Sequence, residues 1–185
     1  MAESLYFNKR QCSLVEEALQ TAEGLAEDLL QVDLRDGRRF RYDLRTLANL
    51  QEREKTRRAL AQVCKYQSQE GSISVPVPRK EFYRICLQDN KILQTAMNDD
   101  PLLLRPLLLY VVTHELIHVV RFSLEPQKFH LGAFQRKREE EFVHRTTHEI
   151  LQTVRYPRMK YILERYRARW EGLGSDWAEG LSLDK

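Results

Sequence analysis

Apolar residues recur at helical spacing along most of the chain, which predicts a mainly helical fold. Segment 11–31 carries leucines and alanines every three or four positions among glutamates, as in an amphipathic helix. The same spacing predicts helices at about 44–66, at about 133–155 and from Pro157 to about Trp170. The apolar stretch from Leu102 to Val120 is interrupted by charged residues and by Pro106, which indicates a buried core helix rather than a membrane span. Proline favours a start or a kink near position 106, and the helix is expected to end near Phe122 or Ser123.

Two segments show patterns typical of strands. In 32–42, Asp36-Gly37 stands between two alternating runs, and Asp-Gly is a strong hairpin signal because both turn positions need a positive φ. Residues Phe82 to Leu87 are predicted to form a short strand. The order of elements therefore predicts a mainly helical α+β fold with a small sheet.

The chain has 185 residues, enough for one domain with a substantial core and too few for two comfortable ones. We expect a single domain 1–185 with three parts: a helix-hairpin-helix part at 1–70, a core at 80–155, and a C-terminal helix and tail at 156–185.

Composition places the protein among ordinary globular chains. The formal net charge of +3 is too small to indicate nucleic acid, and basic and acidic residues are interspersed. The N-terminal residues lack the apolar core of a secretory signal, and three cysteines without a pairing motif fit a reducing compartment. These features predict a cytoplasmic location and no membrane partner.

The histidines carry the strongest chemical signal. All five histidines fall within 114–148, and two of them belong to the segment HELIH at 114–118. On a helix, His114 and His118 lie one turn apart on the same face, so both imidazoles can bind one metal ion. Glu115 lies beside that face, where it can deprotonate a water molecule bound to the metal. Buried in an apolar helix, these polar groups would be costly without such a partner.

A catalytic zinc has three protein ligands and one open position, so a third ligand is expected. On the helix 133–155 the apolar stripe is centred about 35° from Glu140, about 65° from Glu139 and about 135° from Glu141. Glu140 is therefore expected to face inward, where it is a candidate for the third ligand, whereas Glu139 and Glu141 are interpreted as solvated charges. His144 is expected either to bind the metal or to orient a ligand, and His148 and His130 are weaker candidates.

HELIH, followed 22 residues later by Glu140 on the next helix, resembles the gluzincin clan of zinc metallopeptidases, the thermolysin-like group. Val143 and His144 stand where the clan's second motif has a small residue and an Asp or Asn. The resemblance covers roughly residues 82–155. The metzincin pattern is absent, since Arg121 and Leu124 occupy the positions of its Gly and third His.

The resemblance implies one zinc per chain on His114, His118 and Glu140, with Glu115 as the general base for hydrolysis of a peptide or protein substrate. It leaves endopeptidase and aminopeptidase activity equally open. It also implies a substrate-binding strand, for which Phe82–Leu87 is the candidate. A further residue would stabilise the oxyanion, and the candidates are His148, Arg145, Tyr156 and Tyr161.

Three other interpretations fit parts of the sequence. Two Glu-x-x-His pairs, Glu115/His118 and Glu141/His144, are typical of di-iron carboxylate bundles, which would also need Glu16 or Glu23. A zincin-like fold can also persist as a catalytically inactive interaction protein. The basic and aromatic run 155–170 resembles a nucleic-acid strip, but its apolar residues have core-facing spacing, so no nucleic-acid partner is expected. The oligomeric state is left open by the sequence.

Overall fold

The computed structural model describes residues 6–67, 81–97 and 101–167. Within these ranges the chain forms five α-helices and three strands, in the mixed α+β arrangement expected from the sequence. The helices are α1 (Lys9–Leu30), α2 (Asp89–Met97), α3 (Leu104–Leu124), α4 (Ala133–Leu151) and α5 (Met159–Arg167). The strands are β1 (Tyr42–Arg45), β2 (Ala61–Gln67) and β3 (Glu81–Leu87).

Helix α3 is the centre of the fold. Every residue from Pro106 to Val120 is buried, and the other four helices, β2 and β3 all pack against it. The helix is long and apolar enough to cross a membrane, but its burial inside the fold is that of a core helix. Helix α3 begins at Leu104, so Pro106 lies in its first turn, where a missing backbone N–H breaks no hydrogen bond.

The sheet has the order β1-β3-β2, with β1 parallel and β2 antiparallel to β3. Strand β3 is paired on both sides. Strand β2 pairs only with β3 within the described ranges. Its residues Gln62 to Gln67 line a groove described below, together with residues of α3 and α4.

The prediction of a helix-hairpin-helix part at 1–70 is wrong after the first helix. The segment with Asp36-Gly37 forms successive turns instead, because the carboxylates of Asp33 and Asp36 accept hydrogen bonds from the backbone N–H of Arg35 and Arg38. The next strand, β1, then pairs in parallel with the distant β3 rather than antiparallel with its neighbour.

The helix predicted at 44–66 is also wrong. Its leucines have helical spacing, but the chain there forms the end of β1, two short 3₁₀ turns and then β2. Alternate residues of β2, Ala61 and Val63, are buried against the core, which is the period of a strand.

The remaining helices lie close to their predicted places. Helix α1 starts at a capping box in which Asn8 and Gln11 bond reciprocally, and α4 ends at Leu151, four residues before the predicted end. Helix α5 ends at Arg167 within the described ranges, so the predicted end at Trp170 and the tail lie outside them. Helix α2, which was not predicted, is tied in by Asp89, whose carboxylate accepts from the backbone N–H of Phe7 (3.0 Å) and Leu47 (2.8 Å).

Candidate metal centre

Helices α3 and α4 are joined by a buried ion pair next to the histidine motif. The guanidinium of Arg121 donates two hydrogen bonds to the carboxylate of Glu139, one of them from Nη2 to Oε2 at 2.8 Å. Lys128 also approaches this carboxylate, at 4.0 Å. Glu139 is 7% exposed, so its interpretation as a solvated charge is wrong: the arginine compensates its burial, which helical angles could not show.

The residue after Glu139 completes a group of three metal-binding side chains. Oε2 of Glu140 lies 3.4 Å from Nε2 of His114, and its Oε1 lies 3.2 Å from Nε2 of His118. One ligand atom from each residue falls within 4.8 Å of the others. The structure therefore brings together the three residues that the sequence singled out, in a group that can hold a metal ion.

The polar atoms of this group fit a cation. Nε2 of His118 is buried and faces the Glu140 carboxylate within ion-pair distance, yet it makes no hydrogen bond within the described ranges. A buried nitrogen without a hydrogen bond is uncommon, and here its lone pair would be satisfied by a metal ion. Two imidazoles and one carboxylate also form a donor set typical of catalytic zinc.

Electrostatics at the centre favour positive charge between these side chains. Burial works to lower the pKa of His118, but the neighbouring carboxylates, Glu140 foremost, raise it above its ordinary value. Burial works to raise the pKa of Glu140, but the two imidazoles hold it well below its ordinary range. Either a proton shared within this group or a divalent cation bound to it would compensate the negative charge of the carboxylate.

Glu115 lies beside this group on α3 and is 3% exposed. Its Oε2 atom is buried and has no hydrogen-bond partner within the described ranges. Burial raises the pKa of its carboxyl to about 8, with His118 opposing and Glu140 reinforcing the increase. A carboxyl with a pKa near neutrality can accept and release a proton in neutral solution.

Four aromatic rings form a ladder along one face of α3, at a spacing of four residues. Tyr110 is stacked near His114 at 6.4 Å between centroids, His114 meets His118 edge-on at 4.9 Å, and Phe122 stacks on His118 at 5.3 Å. Tyr110 and Phe122 were not singled out from the sequence, although their spacing of four residues from the motif predicts that they share its helix face. The ladder restricts how far either imidazole can rotate.

His144 lies beside this ladder rather than in the group of three. Its ring centroid is 4.4 Å from that of His114, and its Nδ1 shares a hydrogen bond of 2.8 Å with the hydroxyl of Tyr110. Tyr110 in turn stacks on Tyr166 of α5 at 4.5 Å. His144 is therefore in ring contact with His114 and outside the group of three, and its role in orienting His114 stays a prediction.

An open groove of about 360 Å³ reaches the centre along the edge of β2. His118 and Glu140 form part of its wall, and β2 supplies residues Gln62 to Gln67. Because this edge of β2 is not paired with a strand in the described residues, its N–H and C=O groups can pair with an extended peptide. The expectation that β3 binds the substrate is wrong, since both of its edges are already paired.

The other sequence candidates lie away from the metal-binding group. His148 is half-buried one turn beyond His144, and Glu141 is half-buried outside the group. Within the described part of the chain, none of the four oxyanion candidates (His148, Arg145, Tyr156 and Tyr161) lines the groove. His130, exposed in the loop before α4, does line it, as does Arg136.

The carboxylates that a di-iron site would require are not assembled in the described residues. Glu16 is exposed on α1, and Glu23 accepts a hydrogen bond of 2.7 Å from the hydroxyl of Tyr42. Comparison of the chain with protein-family models, with curated proteins and with solved structures gave no match.

Proposed function

We propose that this protein is a cytoplasmic, zinc-dependent metallopeptidase with one zinc per chain. The observation that carries the proposal is the convergence of His114, His118 and Glu140, on two adjacent helices, beside a groove that His118 and Glu140 line and that runs along an open strand edge. Three nitrogen and oxygen ligands leave a fourth position for water or substrate, which is the arrangement of catalytic rather than structural zinc.

The chain's own residues then have distinct roles. When bound, zinc would polarise the scissile carbonyl and lower the pKa of a water molecule. Glu115 accepts the proton from the attacking water and delivers it to the leaving amine, a role that suits its buried oxygen without a hydrogen-bond partner in the described residues. The open edge of β2 holds the substrate main chain in extended form. Tyr110 and His144 keep the imidazole of His114 in its binding orientation.

Glu115→Gln separates the chemistry from metal binding. The amide has the shape of the carboxylate but cannot take a proton, so we expect cleavage to fall by a factor of about 10²–10⁴ with one zinc still bound. Cleavage of a mixture of peptides of defined sequence, followed by mass spectrometry, measures the activity. Glu141→Gln is the matched control and should cleave like the unmodified protein. Undiminished cleavage by Glu115→Gln would refute its role as the base.

A further inference from the structure

The groove beside the metal-binding group carries an excess of positive charge. Among the residues that the structure describes, four Lys or Arg side chains line it, against two carboxylates, Glu139 and Glu140. The carboxylate of Glu139 is already engaged by Arg121, and that of Glu140 faces the two histidines. Neither carboxylate is therefore directed at an occupant of the groove, so the cations dominate the field that an incoming chain meets.

The four cations differ in how far they are already compensated. The ammonium of Lys65 pairs with Glu81 at 2.6 Å, and that of Lys128 pairs with Glu125 at 2.7 Å. Arg136 donates a hydrogen bond to the main-chain carbonyl of Leu131 at 3.2 Å. Of these four cations, Arg53 is the one best placed to bind an acidic group of an incoming peptide.

Arg53 is an exposed residue that lines the groove and lies against an aromatic ring. Its guanidinium lies over the ring of Tyr66 at 4.7 Å from the centroid, and no carboxylate pairs with it in the described part of the chain. Stacking on an aromatic ring leaves the edge N–H groups of a guanidinium directed outward, where they can bind a carboxylate with two hydrogen bonds. The contact with Tyr66 thus leaves Arg53 able to bind an acidic side chain.

The strand geometry shows how a peptide would reach these groups. Successive side chains of a strand point to opposite faces, and on β2 Tyr66 lies on the face turned from the core, with Lys65 on the other. A peptide paired with this edge would also direct alternate side chains to the two faces. Side chains on one face would meet Arg53, and those on the other would meet the wall formed by Lys65, Phe129 and Lys128.

We propose that the groove selects extended polypeptide segments rich in Asp or Glu side chains, with Arg53 as a specificity-determining residue. This inference rests on the proposed peptidase function, because it assigns the substrate class of the same site. The occupant is an acidic peptide rather than nucleic acid, since an unpaired strand edge offers main-chain hydrogen bonds in the pattern that another extended chain supplies.

The test measures binding separately from cleavage. The full chain with Glu115→Gln is titrated against two fluorescein-labelled ten-residue peptides that differ only in having Glu or Gln at four positions. We expect the Glu peptide to bind about tenfold more tightly at low salt, and the difference to shrink to about twofold in 0.5 M NaCl as ions screen the charges. Equal binding of the two peptides, or no binding of either, overturns the proposal.

Two arginine variants, each combined with Glu115→Gln, show which residue produces the preference for the Glu peptide. Arg53→Gln should reduce the preference for the Glu peptide by about two- to fivefold, the usual contribution of one exposed ion pair. Arg57→Gln removes the same charge from an exposed residue of the same loop that does not line the groove, and it should leave the preference unchanged. Equal effects of the two substitutions would overturn the role of Arg53.

Cleavage by the unmodified chain separates this inference from the function on which it rests. Equal cleavage of both peptides overturns the acidic preference and supports the peptidase. Preferential binding of the Glu peptide without any cleavage overturns the peptidase and supports the inference about the groove.

Discussion

The guanidinium of Arg121 on α3 donates two hydrogen bonds to the carboxylate of Glu139 on α4, one of them 2.8 Å long from Nη2 to Oε2. The next residue, Glu140, is the one whose carboxylate faces both histidines. A bidentate ion pair restrains both the axial position and the rotation of one helix relative to the other. The pair therefore sets where Glu140 stands relative to the histidine motif.

Glu139→Gln should weaken metal binding without removing a ligand. The substitution leaves the largely buried guanidinium of Arg121 without a full charge partner, so α4 is free to shift. We expect metal affinity to fall by about 10–100-fold, as for other groups that hold ligands in place. Competition with a chromophoric chelator measures the affinity. Glu141→Gln removes the same charge from the same helix outside the group and should bind metal normally; equal losses in both variants would contradict this role of the pair.

Tyr110→Phe tests the support of His114 by its neighbours. Loss of the hydroxyl leaves Nδ1 of the buried His144 without its 2.8 Å hydrogen bond, a defect that costs about 1–3 kcal/mol in the free energy of unfolding. We also expect weaker metal binding, since the ring beside His114 loses its fixed orientation. Urea unfolding and chelator competition measure the two effects. Tyr161→Phe, at an exposed position on α5, is the control; a Tyr110→Phe protein that matches it in both assays would contradict the support of His114 by Tyr110 and His144.

The candidate ligands could be predicted from the sequence because they depend on local helical geometry. A spacing of four residues places His114 and His118 on one face, and 100° per residue turns Glu140 toward the core. Glu139 was misjudged because its partner, Arg121, lies on another helix. Tyr110 was missed although the same spacing relates it to His114.

The sheet could not be predicted in the same way because its pairing is not local. The Asp36-Gly37 signal depends on an antiparallel neighbour, whereas β1 pairs in parallel with β3, whose sequence lies far along the chain. In 44–66 the leucine spacing fits a helix as well as short turns, and only burial against α3 distinguishes β2. The groove runs along this edge strand, so the groove also could not be predicted from local sequence patterns.

A buried carboxylate network holds the loop that covers the outer face of the sheet. Glu54 is 0% exposed and accepts hydrogen bonds from the hydroxyl of Tyr66, from Arg84 at 3.0 Å and from the backbone N–H of Gln51 at 2.7 Å. Burial works to raise the pKa of Glu54, but these donors together lower it below its ordinary value of 4.5. The network also positions Arg53, whose neighbour in the chain it anchors.

The lowered pKa of Glu54 predicts how stability depends on pH. A carboxyl with a depressed pKa in the folded protein adds stability above its unfolded value, and this contribution is lost as the pH falls through the folded value. Glu54→Gln should therefore cost about 1–3 kcal/mol at pH 7, and the difference from the unmodified protein should narrow below pH 4.5. Urea unfolding across this range measures it. Glu52→Gln, exposed in the same turn, should show little effect, and a difference for Glu54→Gln that stays constant with pH would contradict the account.

Metal content of the purified chain is the most direct test of the centre on which the proposed function depends. Elemental analysis by mass spectrometry should find one zinc per chain in the unmodified protein and almost none in His118→Ala, which removes one of the three ligands. His130→Ala, which removes an exposed histidine outside the group, should retain its zinc. Absence of stoichiometric metal from the unmodified protein, or equal zinc in the His118→Ala protein, would contradict a metal centre at His114, His118 and Glu140.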